Sequence, residues 1–157
     1  MSKKERISTG MSSQAEETEE ATSLGGRAFL PDEAIRNVVH EGKPGFLVKV
    51  CLTSYRALPL SCIEKIELKV DGVVIHPDKM RFILNGYSHK LDEFLHLRHI
   101  FWFILDYADL FVASKEPLSP GEHLVEGLLV TVEPYITAGR YSFYNPSTKR
   151  LSVAVDL

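Results

Sequence analysis

What this 157-residue chain lacks narrows its class before any motif is considered. Its first 28 residues hold no aromatic side chain, and all fifteen aromatics (eight Phe, six Tyr, one Trp) stand from Phe29 onward. That stretch is instead rich in Ser, Thr and Glu, with Glu16, Glu17, Glu19 and Glu20 clustered before Gly25-Gly26. So little apolar surface cannot offset the entropy of ordering a backbone, so residues 1–28 are expected to be a flexible tail and 29–157 one domain. No apolar run approaches the roughly 20 residues of a membrane-spanning helix. Lys3, Lys4 and Arg6 have no apolar segment behind them, as a secretory signal would require. Two cysteines, Cys51 and Cys62, cannot make a disulfide framework and are expected as buried thiols in a cytoplasmic protein. Positive charge is not in excess. Eighteen Lys and Arg against 21 Asp and Glu give a net charge of −3, which provides no attraction to nucleic acid or anionic membrane.

Nucleophile motifs are missing as well. There is no G-x-S-x-G elbow and no glycine loop that would cradle a phosphate. Cys51 lies in an apolar run, where burial raises a thiol's pKa and makes it inert. Carboxylates are plentiful but fall mainly on alternating solvent faces, so no glycosidase-like pair stands out. His89, His96 and His99 are close in sequence, yet the His96-x-x-His99 spacing points to opposite faces where the chain turns into a strand. No catalytic residue and no metal ligand set is therefore assigned in this chain.

What is present is a succession of short strands broken by turn pairs. In Ser54–Gly72 (SYRALPLSCIEKIELKVDG), Ile66, Leu68 and Val70 alternate with Lys65, Glu67 and Lys69, the pattern of a half-buried strand. Asp71-Gly72 supplies the two positive-φ positions of a tight hairpin turn, and Asn85-Gly86 repeats the device. Further strands are expected at 46–52, 73–76, 81–84, 110–113, 123–132 and 150–155. His99–Leu105 (HIFWFIL) reads as a fully buried strand, and residues 92–97 as one helical turn. Pro31–Val39 fits either a short helix or an entering strand that ends at Gly42–Gly45. The pattern predicts an all-β fold, an antiparallel β-sandwich or jelly roll.

Two segments do not fit a plain scaffold. Tyr55-Arg56, just before the rigid Pro59-Leu60-Ser61, sets an aromatic ring and a planar donor fork side by side, which suits partner contact. Tyr135–Lys149 carries Tyr135, Arg140, Tyr141, Phe143 and Tyr144 and reads as a loop or irregular hairpin. Its residue types are those of binding hot spots, so it is a candidate substrate-pocket or interface loop.

Taken in order, these segments resemble the β subunit of bacterial C-glycoside deglycosidases. The likeness is carried by Tyr55-Arg56, Pro59-Leu60-Ser61, Ile63 and Ile66–Gly72, then by Phe82, Asn85-Gly86, Trp102 and Leu118–His123. The resemblance implies an accessory subunit, inactive alone, that pairs with a sugar-isomerase-like TIM-barrel α subunit in a hetero-oligomer. That α subunit would hold a divalent metal, manganese, and the acid/base groups; the substrate would be a 3-oxo-C-glycoside whose carbon–carbon bond to an aromatic aglycone is cleaved. The sequence departs from the family pattern in a longer N-terminal stretch and in an unusually apolar His96–Tyr107, a candidate for an extra hydrophobic interface. The alternative is a free-standing carbohydrate-binding β-sandwich module that uses the Tyr135–Tyr144 loop.

Overall fold

The computed structural model describes residues 27–133 and 141–153. The expected tail, apart from its last two residues, lies outside them, as do Tyr135 and Arg140.

The chain builds two antiparallel sheets. β1 (Arg36–His40), β2 (Lys43–Cys51), β6 (Met80–Leu84), β7 (Tyr87–Lys90) and β9 (Tyr107–Ala113) form a five-stranded sheet in the order β1-β2-β9-β6-β7. β4 (Ile63–Val70), β5 (Val73–Val74), β10 (Gly121–Val132) and β11 (Ser142–Val153) form a four-stranded sheet in the order β11-β10-β4-β5. β3 (Leu58–Pro59) and β8 (Phe101–Trp102) make a separate two-stranded ribbon. One contiguous core lies between the sheets: Val48, Val50, Phe82 and Leu110 from the first meet Ile66, Leu68, Val125 and Leu129 from the second. This is an all-β sandwich.

Local sequence explains most of these elements. Ile66, Leu68 and Val70 are buried, while Lys65 and Glu67 face water, so period-two alternation sets the register of β4. Asp71 (φ 50°) and Gly72 (φ 82°) are both left-handed, as are Asn85 (φ 52°) and Gly86 (φ 85°), which matches the backbone twist that two-residue hairpins need. The open choice at 31–39 resolves as a strand. β1 pairs with β2 from Arg36↔Leu47 to His40↔Lys43, and the turn sits at Glu41-Gly42, one step earlier than Gly42–Gly45. Residues 91–96 form a short 3-10 turn with Phe94 buried.

Two expectations are corrected. His99–Leu105 is not a fully buried strand: only Phe101 and Trp102 pair, with Pro59 and Leu58, and Trp102 alone of the run is fully buried. The indole N–H donates to the Asp106 carbonyl (2.8 Å) and the ring meets Phe82 edge-on at 5.1 Å, so one anchor absorbs the role expected of the whole run. The Tyr135–Lys149 segment is not a loop throughout. From Ser142 it is a regular strand in register with β10, from Val132↔Ser142 to Gly121↔Val153. Asn145-Pro146 signalled a break, but β11 is a sheet edge, where strands tolerate proline. Cys51 is buried as expected, whereas Cys62 is only half-buried, and the two are not joined in a disulfide.

Candidate interface at one end of the sandwich

Strand pairing gathers the unusual segments at one end of the molecule. Cys51 at the end of β2 opposes Tyr107 at the start of β9; Thr131 near the end of β10 opposes Ile63, and Val132 opposes Ser142. The chain leaves β2 into Leu52-Thr53-Ser54, all buried, before reaching exposed Tyr55 and Arg56.

A buried hydroxyl–carboxyl cluster joins the two sheets here. Ser54 Oγ donates to Glu133 Oε1 (3.0 Å), and Thr131 Oγ1 donates to Glu133 Oε2 (3.3 Å). Ser54 Oγ in turn accepts the backbone N–H of Arg56 (3.3 Å). Ser54, Thr131 and Glu133 are each under 4% exposed (3%, 1% and 2%). Burial pushes the Glu133 carboxyl up from the ordinary 4.5, and the two hydroxyl donors only partly oppose this. The Tyr55-Arg56 corner and the root of the segment that continues to Tyr135 are thus tied through one carboxyl. Sequence reasoning missed Glu133, because a lone acid before a proline carries no periodic signal.

Beside this corner runs a ledge of outward apolar side chains. Phe101, Phe103, Leu105 and Tyr107 are 39%, 56%, 81% and 47% exposed, while Trp102 and Ala108 are buried and Ile104 and Asp106 half-buried. Alternate residues of an apolar run therefore face solvent. The Phe101 and Phe103 rings lie 6.4 Å apart. The backbone beneath is fixed by Trp102 Nε1 on the Asp106 carbonyl, by the Asp106 N–H on the Phe103 carbonyl (3.0 Å) and by Arg27, which donates to the Ile104 carbonyl. Arg27 also donates to Cys51 Sγ (3.1 Å) and lies over the Tyr107 ring, which Lys49 approaches as well, at 5.1 and 5.2 Å. Desolvation raises the Cys51 thiol pKa and Arg27 only partly opposes it, so this sulfur is a packed group and not a nucleophile. Antiparallel pairing of Leu58 with Trp102 sends the chain upstream of Leu58 alongside the chain downstream of Trp102. Tyr55-Arg56 and the ledge therefore belong to the same end.

Of the other residues singled out from sequence, Tyr141 and Tyr144 are both exposed, Tyr141 just before β11 and Tyr144 on it opposite Val130. The start of β11 is held to β4 by Ser142 Oγ donating to Glu64 Oε1 (2.8 Å). His89, His96 and His99 do not converge: among the described residues no three His, Cys, Asp or Glu form a group that could hold a metal ion.

The far end carries a Ser, His and Asp together. His123 Nδ1 lies 2.5 Å from Asp71 Oδ2, and its Nε2 lies 2.7 Å from the Ser119 carbonyl oxygen and 3.5 Å from Ser119 Oγ. The residue types match a hydrolytic triad, but the geometry does not. Nε2 donates to the carbonyl and has no lone pair to take a proton from the hydroxyl, which a general base must do. An acceptor at each nitrogen favours the protonated imidazole over the neutral one. The Ser119 carbonyl first, then Asp71, raise its pKa above the ordinary 6.5, and Asp71 falls below 3.8 through His123 and the Leu124 N–H. This is a clasp between the β4–β5 turn and the start of β10.

Comparison with known proteins finds a matching family and several similar chains. Residues 26–135 match the family described as C-glycoside deglycosidase beta subunit. A 3'-dehydrocarminate deglycosidase beta subunit of Microbacterium sp is 33% identical over 111 residues, 69% of this chain and 83% of that one. C-glycoside deglycosidase beta subunits of Microbacterium trichothecenolyticum (33% over 109 residues; 69% and 82%) and Arthrobacter globiformis (34% over 111 residues; 68% and 83%) are similar to the same extent.

Proposed function

Since the chain belongs to the C-glycoside deglycosidase beta subunit family, we propose that it is the accessory subunit of a carbon–carbon lyase acting on 3-keto C-glycosides. Its partner in this reading is a TIM-barrel α subunit that holds a divalent metal, manganese, and the acid/base groups, and the complex is cytoplasmic. The keto group acidifies the adjacent sugar C–H. Proton abstraction there leaves an electron pair that expels the aglycone from the neighbouring carbon, while a general acid protonates the aglycone's ring carbon. The metal's part is to stabilise the negative charge that develops on the sugar oxygens.

The single observation that carries this reading is the pre-ordered ledge of Phe101, Phe103, Leu105 and Tyr107 beside Tyr55-Arg56. A chain that exposes alternate members of an apolar run, and fixes the backbone beneath them, has anchors whose ordering cost is already met before a partner binds. The described residues offer such a surface, as an accessory subunit would.

The test is co-expression of this chain with a candidate TIM-barrel α subunit of the sugar-isomerase-like class, followed by separation of the subunits and elemental analysis of each. The proposal expects a stable complex with near-stoichiometric metal in the partner. Stoichiometric metal in this chain, or no complex, would overturn it.

A further inference from the structure

We infer that Glu133 is a positioning residue whose carboxyl, through Ser54, fixes the Tyr55-Arg56 corner in the shape the partner subunit recognises; this rests on the accessory-subunit reading. The contacts form a chain. Ser54 Oγ and Thr131 Oγ1 donate hydrogen bonds to the two different carboxyl oxygens of Glu133, and Ser54 Oγ also accepts the N–H of Arg56. The carboxyl comes from the end of β10 in one sheet, while the corner follows β2 in the other. One side chain thus spans the sheets at the end where the apolar ledge is exposed.

The placement is costly for a purely structural residue. A carboxyl that is 2% exposed and met, among the described residues, by two neutral hydroxyls is poorly compensated for leaving water. An apolar side chain at this position would bury more cheaply, but it would remove the acceptor that orients the Ser54 hydroxyl, whose oxygen in turn receives the Arg56 N–H. The geometry therefore favours a role in shaping the corner over a role in filling the core. Glutamine keeps an acceptor for the Ser54 hydroxyl and lets the Thr131 hydroxyl accept instead of donate. Alanine removes both.

The experiment uses the full chain with Glu133→Ala, Glu133→Gln and a control, Val125→Ala, on the β10 strand that leads to Glu133 but buried in the core away from the corner. Two readouts are taken: hydrogen exchange at the Arg56 amide in the free chain, and affinity for the co-expressed TIM-barrel subunit. Glu133→Ala is expected to speed Arg56 exchange and weaken the complex at least about tenfold each, with Glu133→Gln restoring most of both; about tenfold corresponds to ~1.4 kcal/mol. Val125→Ala is expected to lower the melting temperature without changing affinity. If the wild type binds and Glu133→Ala binds equally well, the positioning role is wrong. It is also wrong if Val125→Ala costs as much affinity as Glu133→Ala, or if Arg56 exchange is unchanged. Failure of the wild type itself to bind would sink the accessory-subunit reading, while the exchange result still decides whether Glu133 shapes the corner.

Discussion

At the scale of single residues, two buried ionisable groups give this fold a pH dependence whose sign can be worked out. His123 has its pKa raised above 6.5, so its clasp stabilises fully below that value and the contribution is lost as pH rises through the folded pKa. Glu133 is raised above 4.5, so the folded state binds its proton more tightly than the unfolded chain does. Its contribution too is present below 4.5 and lost as pH rises through the folded value. Asp71 works in the other direction: lowered below 3.8, it stabilises above that value and is lost as pH falls through the folded pKa. Chemical denaturation of wild type and His123→Ala at about pH 6 and about pH 9 is expected to show a larger gap at the lower pH. A gap that grows with pH would contradict the clasp. Trp102→Ala is expected to cost about 3–5 kcal/mol, because it empties a fully buried site and strands the Asp106 carbonyl. The Leu118–His123 turn was visible in the sequence as a motif, but the chain does not advertise that His123 would reach Asp71 some fifty positions earlier. That contact exists because β10 pairs with β4, and tertiary pairing is not a local property.

At the scale of elements, the legible parts were those in which one local rule decides the outcome. The Asp71-Gly72 and Asn85-Gly86 hairpins and the alternation of β4 followed from turn chemistry and period two. The illegible parts were those in which the same residues satisfy two rules. HIFWFIL is apolar enough for a buried strand, yet only Trp102 is fully buried, Ile100 and Ile104 are half-buried against the core, and Phe103 and Leu105 face out. Phe103→Asp with Leu105→Asp is therefore expected to leave stability within about 0.5 kcal/mol of wild type, since neither side chain is buried. The same pair should weaken partner binding strongly, which a titration with the α subunit checks. The segment leading into β1 is the opposite case. Phe29 and Leu30 are fully buried, and a Cβ placed on Gly127 of β10 would come within 2.9 Å of the Phe29 ring. Gly127→Ala is expected to destabilise by about 1–3 kcal/mol as that ring is displaced, and thermal melts would measure it.

For the whole molecule, the two ends of the sandwich divide the work. One end is closed by hairpins and the His123 clasp. The other gathers the Glu133 cluster, the Tyr55-Arg56 corner and the aromatic ledge. The sandwich class was readable from turn spacing alone, and Tyr55-Arg56 stood out as an oddity before Pro59. That the corner lies beside the ledge was not readable, because it depends on β3 pairing with β8. The central claim is that this chain shapes a site whose chemistry belongs to another subunit. Aglycone release from a 3-keto C-glucoside, followed with this chain alone, with the α subunit alone and with the two combined, tests it most directly. The account predicts no release by this chain alone and full activity only on combination. Turnover by this chain in the absence of any partner would contradict it.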